Sequence, residues 1–306
     1  DGDGLRIDAV PMMPRFATRR IAAEARRRFG HAGHDLFLLG ENFTGPRGFE
    51  ELRFYMGPQG LDSLFHFPLM WALRTTLAAR STTMREIAHA VRAGEASWRG
   101  SGSVMATFID NHDVTRFVTE VAGDGGGDGF IPAAQPTEPS VYAIYKLAIG
   151  LVLSLKGVPV LYYGDEVALA GRRDPDSRRV LPGESDLTYL QREVRAFVAR
   201  LARGRGCYEE LRRGDYEEVY SDDEVLAFRR RYGARSAWVV ATRDVRETRR
   251  IRLAGLTSSD YDDLVSDRRV SLTDELTIPS GTSSSLHIFV EPKPSCASPP
   301  PPPSMR

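Results

Sequence analysis

Apolar and polar positions are patterned in two different ways along this 306-residue chain. Up to about residue 203, short apolar runs rich in β-branched and aromatic residues alternate with stretches of helical period. The runs are "GLRIDAV", "DLFLLGENF", "LDSLFHF", "VMATFIDNHD" and "GVPVLYYGDE"; the helical stretches cover residues 16–29, 69–80, 141–155 and 187–203. Strand followed by helix, repeated, predicts a parallel sheet. In the first helix Ile21, Ala25 and Phe29 fall on one stripe, which predicts its buried face. Arg19, Arg20, Arg26, Arg27 and Arg28 lie largely elsewhere and read as a solvated face. After about residue 206 the pattern changes to short strands separated by turn signals: "YEEVYS", "VLAFRRRY", "AWVVATR", "RRIRLAG", "LTIPSG" and "LHIFVEP". This predicts a small antiparallel β domain.

Composition narrows the function classes. Apolar residues make up 42% of the chain, enough for a sizeable core. Forty-one basic residues balance forty-one acidic ones, so no net field steers the chain to nucleic acid or an anionic membrane. There is no apolar run of about eighteen residues to span a bilayer, and no secretory leader opens the chain as given, which therefore reads as soluble. Compartment and oligomeric state stay open. Two cysteines, Cys207 and Cys296, cannot build a disulfide framework, and Cys296 sits in a Pro/Ser tail with little to hold it near a partner. That tail, "KPSCASPPPPPSMR", is expected to be disordered. "GDGGGDG" at residues 123–129 lacks the spaced ligands of a calcium loop and reads as a flexible connection.

Chemistry collects at the ends of the strand-like runs. In "DGLRIDAV" (residues 3–10), period-two geometry puts Arg6 and Asp8 on one face and Leu5 and Ile7 on the other. A guanidinium beside a carboxylate favours the ionised form that a nucleophile needs. "LLGENF" ends an apolar run on Glu41; a carboxyl in an apolar setting is suited to donate a proton. "FIDNHD" places Asp110, Asn111, His112 and Asp113 where the next run meets its loop, a density of polar groups that a purely structural strand avoids. Taken singly, a carboxylate at a strand end is more often a helix cap or a surface charge. In a barrel of parallel strands, however, all C-terminal strand ends converge on one mouth, where Asp8, Glu41 and Asp113 could meet. Paired carboxylates about 5–5.5 Å apart perform retaining glycoside hydrolysis. A metal centre is the rival reading, but no known metal motif is matched, and His31 and His34 of "HAGH" have no partner pair.

"DGLRIDAV", "LLGENF" and "FIDNHD", in this order, resemble the second, third and fourth signature regions of the α-amylase family of glycoside hydrolases. "GVPVLYYGDE" followed by "DPDSRR" is similar to that family's eighth-strand segment. The resemblance implies an α/β fold: a partial (β/α)8 TIM barrel, about strands 4 to 8, over residues 1–203, followed by an antiparallel β-sandwich domain over 204–292 and the tail 293–306. It implies a retaining hydrolase of starch-like α-glucans or maltooligosaccharides. Asp8 would be the nucleophile, Glu41 the general acid and base, and Asp113 the third carboxylate. Arg6 would orient Asp8, His112 would donate to the same sugar, and Asp174 and Arg178 would contact substrate, although as a surface ion pair they fit equally well. A transferase or isomerase of the same fold, and a non-catalytic amylase-like domain, are the alternatives.

The family pattern is also departed from. Strands one to three, the first signature region and the inserted domain have no counterpart here, so the chain is expected to be a fragment of a longer enzyme, inactive alone. No cofactor is identified; a structural calcium belongs to a full-length form, its ligands mostly outside this chain. Where many α-amylases continue "DAVKH", this chain has Ala9-Val10-Pro11-Met12-Met13, so the Lys-His pair that helps bind the leaving side of starch is missing.

Overall fold

The computed structural model describes residues 3–30, 36–256, 259–293 and 296. In the first part of the chain β1 (Gly4–Ile7) pairs in parallel with β2 (Phe37–Gly40), Ile7 opposite Gly40. β3 (Ser63–Leu64) continues the sheet in parallel from β2. A bridge between Phe65 and Ala106 passes it on to β4 (Ala106–Thr107), which pairs in parallel with β5 (Val158–Pro159). Five parallel strands thus follow one another in chain order. The ladders are shorter than the apolar runs that predict them, because the last residues of each run leave the ladder to reach the loops: Phe108 and Ile109 beyond β4 are fully buried without pairing.

The helices fall where helical period predicts them, with additions. They are α1 (Arg15–Phe29), α2 (Phe49–Arg53), α3 (Phe67–Leu73), α4 (Met84–Ser97), α5 (Phe117–Val121), α6 (Pro139–Ser154), α7 (Tyr189–Cys207) and α8 (Glu209–Arg213). A π turn over Arg74–Ala78 continues α3. Proline in the first turn opens α6, where its missing N–H costs nothing, and Thr188 with Gln191 forms a reciprocal capping box on α7.

α1 corrects the predicted stripe. Its buried residues are Thr18, Ala22 and Ala25, small side chains that let the helix approach the sheet closely. Ile21 and Phe29 instead border a groove of about 720 Å³ shared with Phe16 and with Leu5 of β1. β1 stands at the end of its sheet, with no strand on its other side among the described residues. Leu5 therefore remains exposed, although the alternation of the strand predicts that helices cover it. The arginines also differ in part: Arg26 donates to the Gly60 carbonyl at 2.9 Å and to Asp62 at 2.7 Å, while Arg27 and Arg28 pair with Glu24 on the solvated face.

The β domain consists of β6 (Asp215–Ser221), β7 (Val225–Tyr232), β8 (Arg235–Thr242), β9 (Arg249–Arg252), β10 (Asp260–Asp263), β11 (Arg268–Ser271), β12 (Glu275–Ile278) and β13 (Ser285–Val290). Six strands form a sheet in the order β11-β10-β13-β8-β7-β6, antiparallel throughout, and β12 with β9 forms a second, two-stranded sheet. Alternate residues of β8 serve two cores. Ala237, Val239 and Ala241 join the large core that includes α6 and α7, while Trp238 and Val240 meet Ile251 and Ile278 of the small sheet. A strand covered on both faces has no polar side, which accounts for the unbroken apolar run "AWVVA". Gly150 of α6 lets Leu286 pack against the helix at this joint, where a Cβ would lie 2.2 Å from Leu286 Cδ2 and displace that side chain.

Two buried arginines tie the parts together. Arg205 of α7 donates to the carbonyls of Leu153, Leu155 and Gly157, and Arg230 of β7 donates to those of Ser154 and Gly214. They thereby satisfy carbonyls at the C-terminal end of α6 that have no partner within the helix.

Cys207 and Cys296 form a disulfide, contrary to the expectation that nothing holds Cys296 near a partner. The chain leaving β13 is pinned back onto the end of α7: Arg235 pairs with Glu291, Lys293 Nζ donates to the Cys207 carbonyl, and the Cys296 amide donates to the Lys293 carbonyl. The remaining tail predicted to be disordered, residues 294–295 and 297–306, lies outside the described residues, as do His31 and His34. Among the described residues no helix is long and apolar enough to cross a membrane.

His66 gives the fold a pH dependence. Its Nδ1 accepts the Leu69 amide at 3.2 Å and caps α3, and burial pushes its imidazole from 6.5 down to about 3. The neutral ring is favoured in the folded state, so its contribution is present above pH 6.5 and is lost as pH falls towards 3. Asn at this position keeps an acceptor but takes up no proton. Urea denaturation of His66→Asn at a series of pH values is expected to show a flatter loss of stability over that interval, by several kcal/mol; an unchanged slope would refute the assignment.

Candidate active site

The predicted site residues form two clusters: Arg6 lies within β1, and the others follow the C-terminal ends of the parallel strands. In the first, the Arg6 guanidinium donates to the Asp8 carboxylate. The turn that follows is laced to the end of β2: the Glu41 amide donates to the Ile7 carbonyl at 2.8 Å and the Val10 amide to the Glu41 carbonyl at 2.9 Å. Ala9, between them, adopts a left-handed conformation with φ 42°. That conformation is costly for a residue with a Cβ. It accompanies a hydrogen bond from the Ala9 amide to Glu41 Oε2 at 2.9 Å. Glu41 is buried, whereas the Asp8 side chain is 69% exposed.

The second cluster joins the loop after β4 to the loop after β5. Asn111 Oδ1 accepts the Asp113 amide at 2.9 Å, closing a tight turn that presents His112 Nε2 at 3.3 Å from Asp113 Oδ1. Arg178 reaches Asp113 at 3.8 Å and Asp174 at 2.7 Å, and the Ser177 hydroxyl donates to the His112 carbonyl. Arg6, Asp8 and Glu41 are thus brought together, and so are His112, Asp113, Asp174 and Arg178. Asp174 and Arg178 form an ion pair, and Arg178 also touches the candidate carboxylate Asp113.

Several residues that organise the site were not singled out in the sequence. Asp176 accepts the amides of Ala133 and Arg172 and a forked bond from Arg179. Burial pushes its carboxyl up, but these donors outweigh burial and hold it below the usual range. The glycine-rich stretch is a packed brace for the same loop as well as a connection: Asp124 takes a forked bond from Arg172, and a Cβ on Gly127 would fall 2.1 Å from that arginine. Phe43, two residues after Glu41, is half exposed and packs on Phe67 and Trp71, with ring centroids at 4.6 and 6.1 Å. Trp71 Nε1 anchors this loop by donating to the Thr44 carbonyl at 2.8 Å. Its signal in the sequence was an aromatic residue directly beyond a strand-end carboxyl. Among the described residues there is no group of three or more His, Cys, Asp or Glu that could hold a metal ion.

Residues 1–203 match the family model described as the catalytic domain of alpha amylase. A cyclomaltodextrin glucanotransferase of Paenibacillus macerans is 26% identical over 241 residues, which are 79% of this chain and 30% of that protein. The chain therefore spans less than a third of that relative's length. Among solved structures, an α-amylase of Anoxybacillus superposes with a TM-score of 0.74 at 24% identity, over 95% of this chain and 59% of its own. The α-amylase of Geobacillus thermoleovorans, solved in complex with acarbose, gives 0.74 at 22%, over 95% and 60%.

Proposed function

Because this chain belongs to the α-amylase family, whose members are glycosidases acting on starch-like α-glucans, we propose that it supplies the catalytic carboxylates of a retaining α-glucan hydrolase acting on maltooligosaccharides. The observation that carries this reading is the placement of Asp8 and Glu41 directly after the ends of two adjacent parallel strands, with the amide of Ala9, the residue after Asp8, donating to Glu41 Oε2. In the first step the Asp8 carboxylate attacks the anomeric carbon, the glycosidic bond breaks, and the leaving oxygen takes the proton of Glu41. In the second step Glu41 removes a proton from water as its oxygen attacks the same carbon, and Asp8 leaves as carboxylate. Arg6 orients Asp8. Asp113, with His112 beside it, binds hydroxyls of the distorted sugar, and Asp174 and Arg178 contact substrate from the loop after β5. The β domain is read as the β-sandwich that follows the family's catalytic barrel.

The open edge of β1 and the uncovered groove beside α1 support a further part of the reading: that the active enzyme contains barrel strands additional to the five here. An unpaired edge with exposed apolar neighbours is an unstable surface unless another segment covers it. A transferase is the second reading, favoured by the glucanotransferase among the relatives; there a sugar hydroxyl replaces the water of the second step. All three carboxylates of the family's signature regions are present in the sequence, which argues against a purely non-catalytic domain.

The test uses a chain extended to supply the additional strands, alongside residues 1–306 alone. The extended protein is expected to cleave maltooligosaccharides and residues 1–306 not to. A fluorinated glycosyl fluoride that slows the second step is expected to label the Asp8 peptide in mass spectrometry. Robust turnover by residues 1–306 overturns the need for further strands, and a label on another residue overturns the role of Asp8. Product analysis separates linear from cyclic or transferred glucans.

A further inference from the structure

Behind the His112–Asp113 turn lies a group of buried charges to which the steps above give no task. Arg74, Asp110, Arg116 and Asp165 are each at most 3% exposed. Arg74 donates to Asp110 at 3.1 Å and to the carbonyls of Ile109 and Thr115, and pairs with Glu120 of α5. Both oxygens of Asp110 also accept the Phe117 amide, at 2.8 and 3.0 Å. Asp165 accepts the Tyr162 amide at 2.9 Å and has Arg116 at 3.4 Å. Arg116 donates to the Ser177 carbonyl and lies over the Tyr162 ring at 4.0 Å and the Tyr163 ring at 5.0 Å. Its second terminal nitrogen has no hydrogen-bond partner, so the aromatic faces are its remaining stabilising contact. The Tyr162 ring in turn lies 6.4 Å from that of His112.

The charges do not balance if every acid is ionised. Two guanidiniums, Arg74 and Arg116, face three carboxyls: the buried Asp110 and Asp165, and Glu120, which is 30% exposed and shares Arg74 with Asp110. One retained proton restores neutrality in a region where an uncompensated charge is costly. Asp110 accepts from a guanidinium and an amide at short range. Asp165 has one amide and a more distant arginine, and it lies within hydrogen-bonding reach of Asp110. We propose that Asp165 stays protonated and donates its hydrogen to Asp110, and that this acid pair, held by Arg74 and Arg116, positions the His112–Asp113 turn against the Tyr162–Tyr163 segment. The catalytic importance of that turn rests on the function proposed above; the acid pair does not.

The surroundings agree from every side. Burial, and then the Asp110 charge, push the Asp165 carboxyl well above the usual carboxylate range, against the opposing pull of Arg116 and the Tyr162 amide. Tyr145 of α6, which donates to the Asp165 carbonyl, is raised by burial and by Asp165, Asp110 and Glu166. A carboxyl raised in the folded state holds its proton after the unfolded chain has lost it. Its contribution to stability is therefore complete below pH 3.8 and declines as pH rises, until the folded group ionises.

The experiment needs no substrate, so an inactive chain leaves it decidable. Infrared spectra of the chain at neutral pH are expected to contain a protonated-carboxyl band that Asp165→Asn removes. The Asn amide replaces the donated hydrogen, so this variant is expected to keep the parent melting midpoint and the parent His112 ring resonances. Asp165→Ala is expected to lower the midpoint and displace those resonances, and Asp110→Asn, which removes the anion facing Arg74, to lower the midpoint too. A band absent from the parent, or retained in Asp165→Asn, overturns the shared proton. So does an Asp165→Asn variant as damaged as Asp165→Ala. His112 resonances unmoved in Asp165→Ala overturn the positioning role.

Discussion

Glu41→Gln, in the chain extended to active length, is expected to lower kcat on maltooligosaccharides by about 10²–10⁴-fold, the usual range for loss of a general acid. Gln keeps an oxygen to accept the Ala9 amide that Glu41 Oε2 accepts at 2.9 Å, so the turn after β1 should survive the change. The loss is expected to depend on the leaving group. An α-glycosyl fluoride departs without protonation, so its first step should run near the parent rate in Glu41→Gln and its glycosyl-enzyme should accumulate. Asp8→Asn should be inactive on both substrates, since no leaving group replaces a missing nucleophile. Steady-state rates on the two substrates separate the roles. Equal losses on fluoride and oligosaccharide in Glu41→Gln would mean that Glu41 does not act as the acid.

Arg230→Met is expected to cost about 2–5 kcal/mol of stability, through the two buried carbonyls it leaves without a partner. Arg230 is completely buried; burial and then the neighbouring Arg205 push its guanidinium down to about 9. Its position is nevertheless retained because three hydrogen bonds to the Ser154 and Gly214 carbonyls end on it. Met fills part of the volume and leaves those carbonyls unsatisfied, at about 1–3 kcal/mol each. Arg205→Met should act similarly through Leu153, Leu155 and Gly157. The double variant should lose more than the sum, because each single change already relieves the one repulsion between the two like charges and the double variant can relieve it only once. Denaturant midpoints of the three variants test this, and a loss under about 1 kcal/mol in Arg230→Met would show that the clamp is dispensable.

How much of this was legible in the sequence depends on where charge and shape coincide. Asp8, Glu41 and Asp113 stood out because each interrupts or closes an apolar run, with further polar groups beside it in the same short motif. The acid pair was not legible, because Asp165 meets Asp110 only through the pairing of β4 with β5. α4 was overlooked although Met84, Ile87, Ala88 and Val91 are buried at helical spacing; its alanines make the stripe faint. β10 and β11, "DYDD" and "RRVS", carry too many charges to read as strands. Asp263 is buried there because His287, Ser266 and two backbone amides satisfy it, partners distant in sequence or visible only in three dimensions. Ile21 and Phe29 misled for a different reason: periodicity reports which face is apolar, and a neighbouring element decides whether that face is covered.

The Cys207–Cys296 bond joins residues 89 apart, so β6 to β13 all lie within one covalent ring that starts and finishes at the end of α7. Both termini of the β domain are therefore tethered at the same point. When the six-stranded sheet lifts from α6, its last strand cannot diffuse away, and its effective concentration at the helix stays high. The apolar surface of α6 is thereby exposed only in brief local openings, and re-docking is an intramolecular event that does not slow on dilution.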